Sequence, residues 1–189
     1  MLFLWIMIIK NKKEIWEFIK LIVVSLLIII PVRFFIAQPF IVSGSSMDQS
    51  FLNGDYLIID EISYQFQKPE RGEVVVFRYP MDLSKFFIKR IIGLPKEIIE
   101  IRGGRVFVFN AAHPEGLILE EDYARGFTAA PDLKNLKIEL GEKEYYVLGD
   151  NRGFSSDSRH WGILPEGMII GRALASLWPV ANLDLWPGI

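Results

Sequence analysis

Residues 21–32, LIVVSLLIIIPV, carry a single polar side chain, Ser25, and the apolar character resumes at 34–37 after Arg33. No other feature restricts the fold of this chain as strongly, because a stretch this apolar has to be kept from water. Counted over 16–37 it matches the roughly 20 residues that a membrane-spanning helix needs. Trp16, Lys20 and Arg33 stand near its ends, where side chains sit at the interface or snorkel towards it. Pro31 is expected to kink its outer part. The reading is a cytoplasmic segment over 1–15, a transmembrane anchor over 16–37 and a folded domain over 38–189.

A cleaved signal peptide competes with that reading, since Lys10, Lys12 and Lys13 precede a short apolar core. The exit IAQPFIVSG, however, continues as an apolar extended segment, which favours a retained anchor. The lysine cluster before the span, against a lone Arg33 beyond it, places the N-terminus in the cytoplasm and everything after Gln38 outside. Residues 1–9 are too short to span, and two readings stay open for them: an interfacial segment, or residues upstream of the true start. Hydrophobic residues make up 51% of the chain, slightly rich for a soluble protein, with the excess at the front. A net charge of -2 with both signs scattered gives no support for nucleic-acid binding. With no cysteine, neither disulfides nor thiolate chemistry are available.

Beyond residue 38 there is no repeat and no amphipathic helix of any length. Short β-branched and aromatic runs bounded by turn residues dominate, at 56–59, 73–79, 86–92, 98–101, 105–109, 144–148 and 168–177. This spacing predicts a mainly β, antiparallel domain. Gly103 and Gly104 between two runs suit a two-residue hairpin turn. Over 110–141 the pattern loosens, and this stretch is expected to be a surface excursion or a small β subdomain.

The stretch SGSSMDQSF, residues 43–51, raises the question of a serine nucleophile, which needs a base because its hydroxyl is protonated at neutral pH. His113 lies in the loose excursion beside Pro114, and His160, in SRHWG, reads more plainly as a partly exposed structural imidazole. Lysine is the other known partner of such serines. Its reference pKa near 10.4 must fall to roughly 7–8 by burial before it can act as a base. Lys89, within FFIKRII, has the most apolar surroundings of any lysine in the chain, and on a strand it shares a face with Phe87 and Ile91. On pattern alone, an exposed strand lysine is equally open. The densest polar stretch, GDNRGFSSDSRHWG at 149–162, holds charges that need pairing if buried, with Asp157 and Arg159 an evident pair and Ser155 a hydrogen-bond partner for a buried amine.

Taken in order, GSSMDQSF, RGEVVVFRYP, KRIIGLPKE and GDNRGFSSDSR resemble the boxes of the bacterial type I signal peptidases, membrane-anchored serine endopeptidases with a Ser-Lys dyad. The resemblance runs from about residue 15 to 178. It implies a mainly β fold: a transmembrane helix followed by an antiparallel β-sheet catalytic domain with a small inserted excursion. It further implies Ser46 as nucleophile, its backbone N–H as an oxyanion donor, Lys89 as general base, Ser155 orienting the lysine amine, and Asp157 with Arg159 as a supporting ion pair. Ser45 stays an alternative nucleophile if the register differs. Matching positions make Phe40, Val42, Met47, Val76, Phe87 and Ile88 the lining of substrate pockets, each of which is also a plausible core residue. The implied substrates are preproteins whose signal peptides carry small residues at the first and third positions before the cleaved bond. The lipid bilayer and the secretion machinery are the other candidate partners, and neither cofactor nor metal is implied.

Three departures stand out. The family's Pro and Thr after the SM dipeptide and its following residue are Gln49 and Ser50 here, so a fixed φ is lost from the loop. Gly44 stands where some members have an oxyanion-hole serine, and Lys96 replaces a glycine after GLP. Two other classes are weighed beside the peptidase: a soluble Ser-Lys autoprotease domain of the SOS-repressor kind, against which the apolar span and the lack of a helix-turn-helix argue, and an anchored domain that binds peptides without cleaving them. Only Gln38 and Pro39 separate the apolar run from Phe40, which keeps Ser46 within about 25–30 Å of extended chain from the span. Trp178 and Trp186 flank a nearly uncharged C-terminal segment of interfacial character.

Overall fold

The computed structural model describes residues 12–31, 38–128, 135–178 and 184–185. It divides into two units, residues 1–38 and 39–189.

The first unit contributes one helix, α1 (Lys12–Pro31). This differs from the anchor expected over 16–37. As described, the helix already includes Lys12, Lys13, Glu14, Glu17 and Lys20 in its first half, which leaves residues 21–31 as its uncharged part. At about 1.5 Å per residue that part is roughly 16 Å long, about half of a bilayer's hydrocarbon core. Among the described residues no helix is long and apolar enough to cross a membrane. The helix is described as far as Pro31, and residues 32–37 of the expected span lie outside the described residues, as does Trp186; of the Trp178 side chain nothing is described.

The second unit is built from two antiparallel sheets. The larger takes β1 (Gln38–Ile41), β2 (Tyr56–Asp60), β3 (Val74–Tyr79), β4 (Asp82–Gly93), β9 (Glu144–Leu148), β10 (Leu164–Pro165), β11 (Ile169–Trp178) and β12 (Asp184–Leu185), in the order β1-β2-β11-β3-β4-β9-β10 with β12 beside β11. The smaller takes β5 (Ile98–Arg102), β6 (Arg105–Phe109), β7 (Leu117–Ile118) and β8 (Asn135–Glu139) in the order β7-β6-β5-β8. One short helix, α2 (Ser158–Trp161), follows β9. The expected antiparallel, mainly β architecture is therefore present. The excursion is a β subdomain, since β7 and β8 lie within 110–141 and complete the smaller sheet around β5 and β6.

Burial explains which runs alternate and which do not. In β3 the run VVVF is apolar throughout because both faces are covered: Val74 and Val76 pack with Val42, Met47, Phe51, Leu57 and Ile59, while Val75 and Phe77 pack with Ile91, Tyr145, Val147 and Leu164. Each such fully buried aliphatic or aromatic side chain contributes roughly 1.5–3 kcal/mol. In β5 and β6 burial alternates, with Ile99, Ile101, Val106 and Val108 turned into a third cluster. Their hairpin pairs Arg102 with Arg105, which leaves Gly103 and Gly104 at φ 58° and 78° as the two turn residues.

The strand that matters most for chemistry is β4. Along its length it pairs with β3, with Val75 opposite Lys89 and Val76 opposite Ile88. On its other side β9 joins only at Arg90, Ile91 and Gly93. Among the described residues, the edge of β4 at Phe86–Lys89 therefore has no strand partner opposite β3.

Candidate active site

Loop 43–51, strand β4 and the turn after β9 converge on one place. The loop is held from below by Met47 and Phe51, both buried, and by hydrogen bonds from the Ser50 and Phe51 N–H groups to the Met47 carbonyl at 3.1 and 2.8 Å. It is tied from the side by Asn151, whose backbone N–H donates to the Ser46 carbonyl (3.0 Å) and whose side-chain amide donates to the Ser45 carbonyl (3.0 Å). Ser50 Oγ donates to Asp150 Oδ2 at 2.5 Å.

Lys89 reaches this loop from β4 and is 4% exposed. Its Nζ hydrogen-bonds Ser46 Oγ at 2.8 Å and the Ile88 carbonyl at 2.7 Å, and lies 5.2 Å from the centre of the Phe87 ring. Burial lowers its pKa from 10.5 to about 8, against the opposing pull of Asp157 and Asp150. Phe87, two residues before Lys89 on the same strand, is one of the apolar groups beside the amine. An amine with that pKa is a usable base near neutrality, and a hydroxyl within hydrogen-bond reach of it is a candidate nucleophile.

Asp157 and Arg159 are paired as the residue types suggested. Arg159 Nε and Nη2 donate to the two carboxylate oxygens at 2.8 Å each. Asp157 also caps α2 through the Arg159 N–H and accepts the Gly149 N–H at 3.0 Å. Burial pushes the Asp157 carboxyl up, but the Arg159 guanidinium and the Gly149 N–H outweigh it and hold the pKa below the ordinary carboxylate range. Ser155 is different. Its buried hydroxyl lies on the Asp157 side, where it helps to lower that carboxyl's pKa, and the bond to the Lys89 amine implied by the resemblance is not made; Nζ is satisfied by Ser46 and Ile88 instead. Neither histidine enters: His160 Nδ1 approaches Asp157 at 4.0 Å, and the backbone N–H of His113 is bound to Asn110 Oδ1.

A groove of about 450 Å³ opens beside Ser46 and Lys89. Of the six expected lining residues, Phe40, Val42, Val76, Phe87 and Ile88 face it, whereas Met47 does not. Met47 follows Ser46 in a tight turn that directs it inward, against Val42, Phe51 and Leu57. Loop residues 43–45 line it as well, and Ile41, Leu57, Lys85, Phe86, Phe154 and Ser156, which complete the lining, were not anticipated. Also missed were the partners of the other charges. Arg90 points away from Lys89 along the same strand and needs a carboxylate where it is buried, and GDNR supplies Asp150. Arg152 is closed by Glu121 from the excursion at 2.6 Å.

The order of these pieces is that of a known family. A family model described as signal peptidase, peptidase S26, matches residues 15–178. The chain belongs to the peptidase S26 signal peptidases. It is 38% identical over 172 residues to "Probable signal peptidase I-2" of Synechocystis sp., covering 88% of this chain and 74% of that protein. It is 36% identical over 182 residues to a signal peptidase I of Leptolyngbya laminosa, covering 92% and 85%. Against signal peptidase IB of Staphylococcus aureus the identity is 32% over 185 residues, covering 90% and 93%. As a type I signal peptidase of the bacterial kind the chain is a serine peptidase, a hydrolase.

Proposed function

We propose that this signal peptidase removes signal peptides from exported preproteins, with Ser46 as the nucleophile and Lys89 as its general base. The observation that carries this reading is the 2.8 Å contact between Ser46 Oγ and an Lys89 amine whose pKa is lowered to about 8. The neutral amine takes the hydroxyl proton as Oγ attacks the scissile carbonyl carbon. It then gives that proton to the departing amine, leaving an acyl-enzyme on Ser46, and a water deprotonated by the same lysine releases the acyl group. The backbone N–H of Ser46 serves the oxyanion. Asp157 and Arg159 hold the turn beneath the dyad, and Ser155, packed against Gly149, limits how Lys89 can move.

The substrate lies extended along the free edge of β4, adding a strand there. Val42, Val76, Phe87 and Ile88 then leave room for small side chains before the cleaved bond. The enzyme works outside the cytoplasmic membrane with its N-terminus in the cytoplasm. In support of that placement, Leu21, Ile22, Val23, Val24, Leu26, Leu27, Ile28 and Ile29 are exposed around the whole circumference of α1, and a helix apolar on every side needs an apolar surrounding.

Incubating detergent-solubilised protein with a preprotein and sequencing the new N-terminus tests the activity. Ser46→Ala and Lys89→Ala should each abolish cleavage with the fold intact, since nucleophile and base act as a unit, while His160→Ala stays active. Near-native turnover by Ser46→Ala or Lys89→Ala would remove the dyad. Resistance of the full chain to alkaline extraction from membranes tests the anchoring.

A further inference from the structure

Part of the excursion, expected as a surface excursion or a small β subdomain, is stitched to the turn that holds the Ser46 loop. The Arg125 N–H donates to the Asp150 carbonyl and the Arg125 carbonyl accepts the Arg152 N–H, both at 2.7 Å, forming a parallel bridge to Asn151. Glu121 grips the buried Arg152 guanidinium with both oxygens, at 3.0 and 2.6 Å, and Thr128 Oγ1 accepts a third bond from it at 2.6 Å. The Tyr123 ring lies 4.0 Å from the Arg90 guanidinium, next to Lys89 in sequence. Asn151, bracketed by these contacts, is the residue that holds the carbonyls of Ser45 and Ser46.

A second, independent observation comes from the loop itself. Gln49, three residues after Ser46, has φ 88°, a left-handed conformation unfavourable to a residue with a Cβ. Strained backbone of this kind persists only where its surroundings over-determine it. The ties that do so here are external. Ser50 is fixed by Asp150, the Ser45 and Ser46 carbonyls by Asn151, and Asp48 by Arg125, whose Nη1 lies 3.3 Å from Asp48 Oδ2. The other Asp48 oxygen accepts the Gln49 N–H at 3.0 Å. Arg125 therefore touches both sides of the nucleophile: through its backbone the turn that holds the Ser45 and Ser46 carbonyls, and through its guanidinium the residue that precedes the strained position.

We propose that residues 121–128 form a positioning arm for the active site, and that Arg125 is a positioning residue that holds the 46–50 turn through Asp48 so that Ser46 Oγ stays in line with Lys89. The inference rests on the reading of Ser46 as nucleophile. It assigns the excursion a share in turnover, and it makes that share dependent on an ion pair that solvent reaches, with the two side chains 59% and 33% exposed. Such a pair is weak and is screened by salt, so the effect is modest and tunable.

The test uses the full chain in detergent with a preprotein substrate, measuring kcat, KM and thermal midpoint. Arg125→Ala should lower kcat about two- to five-fold, the range expected for an exposed pair, with KM, the midpoint and the alkaline limb of the pH profile unchanged. Asp48→Asn should reproduce it, the double variant should be no slower than either single one, and Arg125→Lys should recover most of the rate. Raising salt from about 0.1 to about 1 M shortens the screening length from about 10 to 3 Å and should bring the wild type towards the Arg125→Ala rate while leaving that variant unmoved. Wild-type kcat in both single variants, additive losses in the double variant, or a rate loss that follows the thermal midpoint and is not recovered by lysine would each overturn the proposal. If Ser46→Ala still cleaves, the nucleophile assignment fails instead, and the two failures are told apart by that one control.

Discussion

Arg90 and Asp150 form a two-pronged ion pair beside the proposed Ser46–Lys89 dyad, Nε to Oδ1 at 2.9 Å and Nη2 to Oδ2 at 2.6 Å, with side chains 1% and 0% exposed. Arg90 also donates to the Gly72 carbonyl at 2.8 Å, so the pair joins the lysine strand, the segment before β3 and the turn after β9. Breaking such a pair leaves an uncompensated buried charge. Asp150→Ala should therefore destabilise the protein by about 3–5 kcal/mol in denaturant unfolding, and Arg90→Met added to it should recover much of the loss. A double variant no more stable than Asp150→Ala would show that the cost lies in the lost Ser50 contact instead.

Of the positions that depart from the family's boxes, two that bear a side chain have positive φ: Lys96 at 69° and Gln49 at 88°. They should respond in opposite ways to restoring the family residue. Lys96→Gly places the residue suited to left-handed backbone in the turn and loses only the Lys96–Glu142 pair, exposed on both sides. A gain of about 1 kcal/mol, or roughly 2–4 °C in thermal midpoint, is expected. Gln49→Pro forces φ to about -65° and removes the N–H that Asp48 accepts, so it should lose stability and most of its turnover. An active, stable Gln49→Pro enzyme would mean that the 46–50 turn can adopt a different path.

Gly149 is needed for its lack of a side chain. A Cβ there would lie 2.5 Å from the Ser46 carbonyl oxygen and would overlap Ser155. Gly149→Ala must push the loop that carries Ser46 away from Lys89, and misplacement on the ångström scale can slow turnover about 100-fold. Gly153→Ala, four residues on with open space around its Cα, is the control and should cleave normally. Equal rates for the two variants would show that the loop yields without consequence.

Local periodicity carried most of the fold. The runs at 105–109 and 144–148 coincide with β6 and β9, and 56–59 and 98–101 miss β2 and β5 by one residue each. Strands β1, β7, β10 and β12 escaped because two to four residues, some with proline, hold too little pattern to separate from a loop, and β8 escaped because its Asn, Lys and Glu read as part of a charged excursion. FFIKRII left a buried and an exposed Lys89 equally open, and the candidate dyad became legible only through the resemblance of the serine and lysine boxes to the family's. The partners of Arg90 and Arg152 were not, since ion-pair choice is settled by which distant segments pack together. For Met47 a tight turn reversed the expected direction, and in α1 the favourable helical character of Lys12, Lys13 and Glu14 carried the helix at least four residues ahead of the apolar run.

The last expectation concerns the energetic consequence of burying Lys89. Its folded pKa, about 8, lies below the reference value of 10.5, so between those two values the unfolded chain binds more protons than the folded one. Stability contributed by this group therefore rises with pH through that window, and below about pH 8 the folded state bears the full penalty, on the order of 3 kcal/mol for a shift of this size. Lys89→Met removes the amine while keeping the apolar stem, so it should unfold at higher denaturant than the wild type at pH 7, with the advantage shrinking as pH approaches 10. Turnover of the wild type should rise through the same pKa, and Lys89→Arg, which cannot give up its proton, should be inactive at every pH. A stability difference between Lys89→Met and wild type that does not change from pH 7 to 10, or a rate still climbing above roughly pH 10, the range of an unperturbed lysine, would show that Lys89 keeps its proton in the folded enzyme and that some other group activates Ser46.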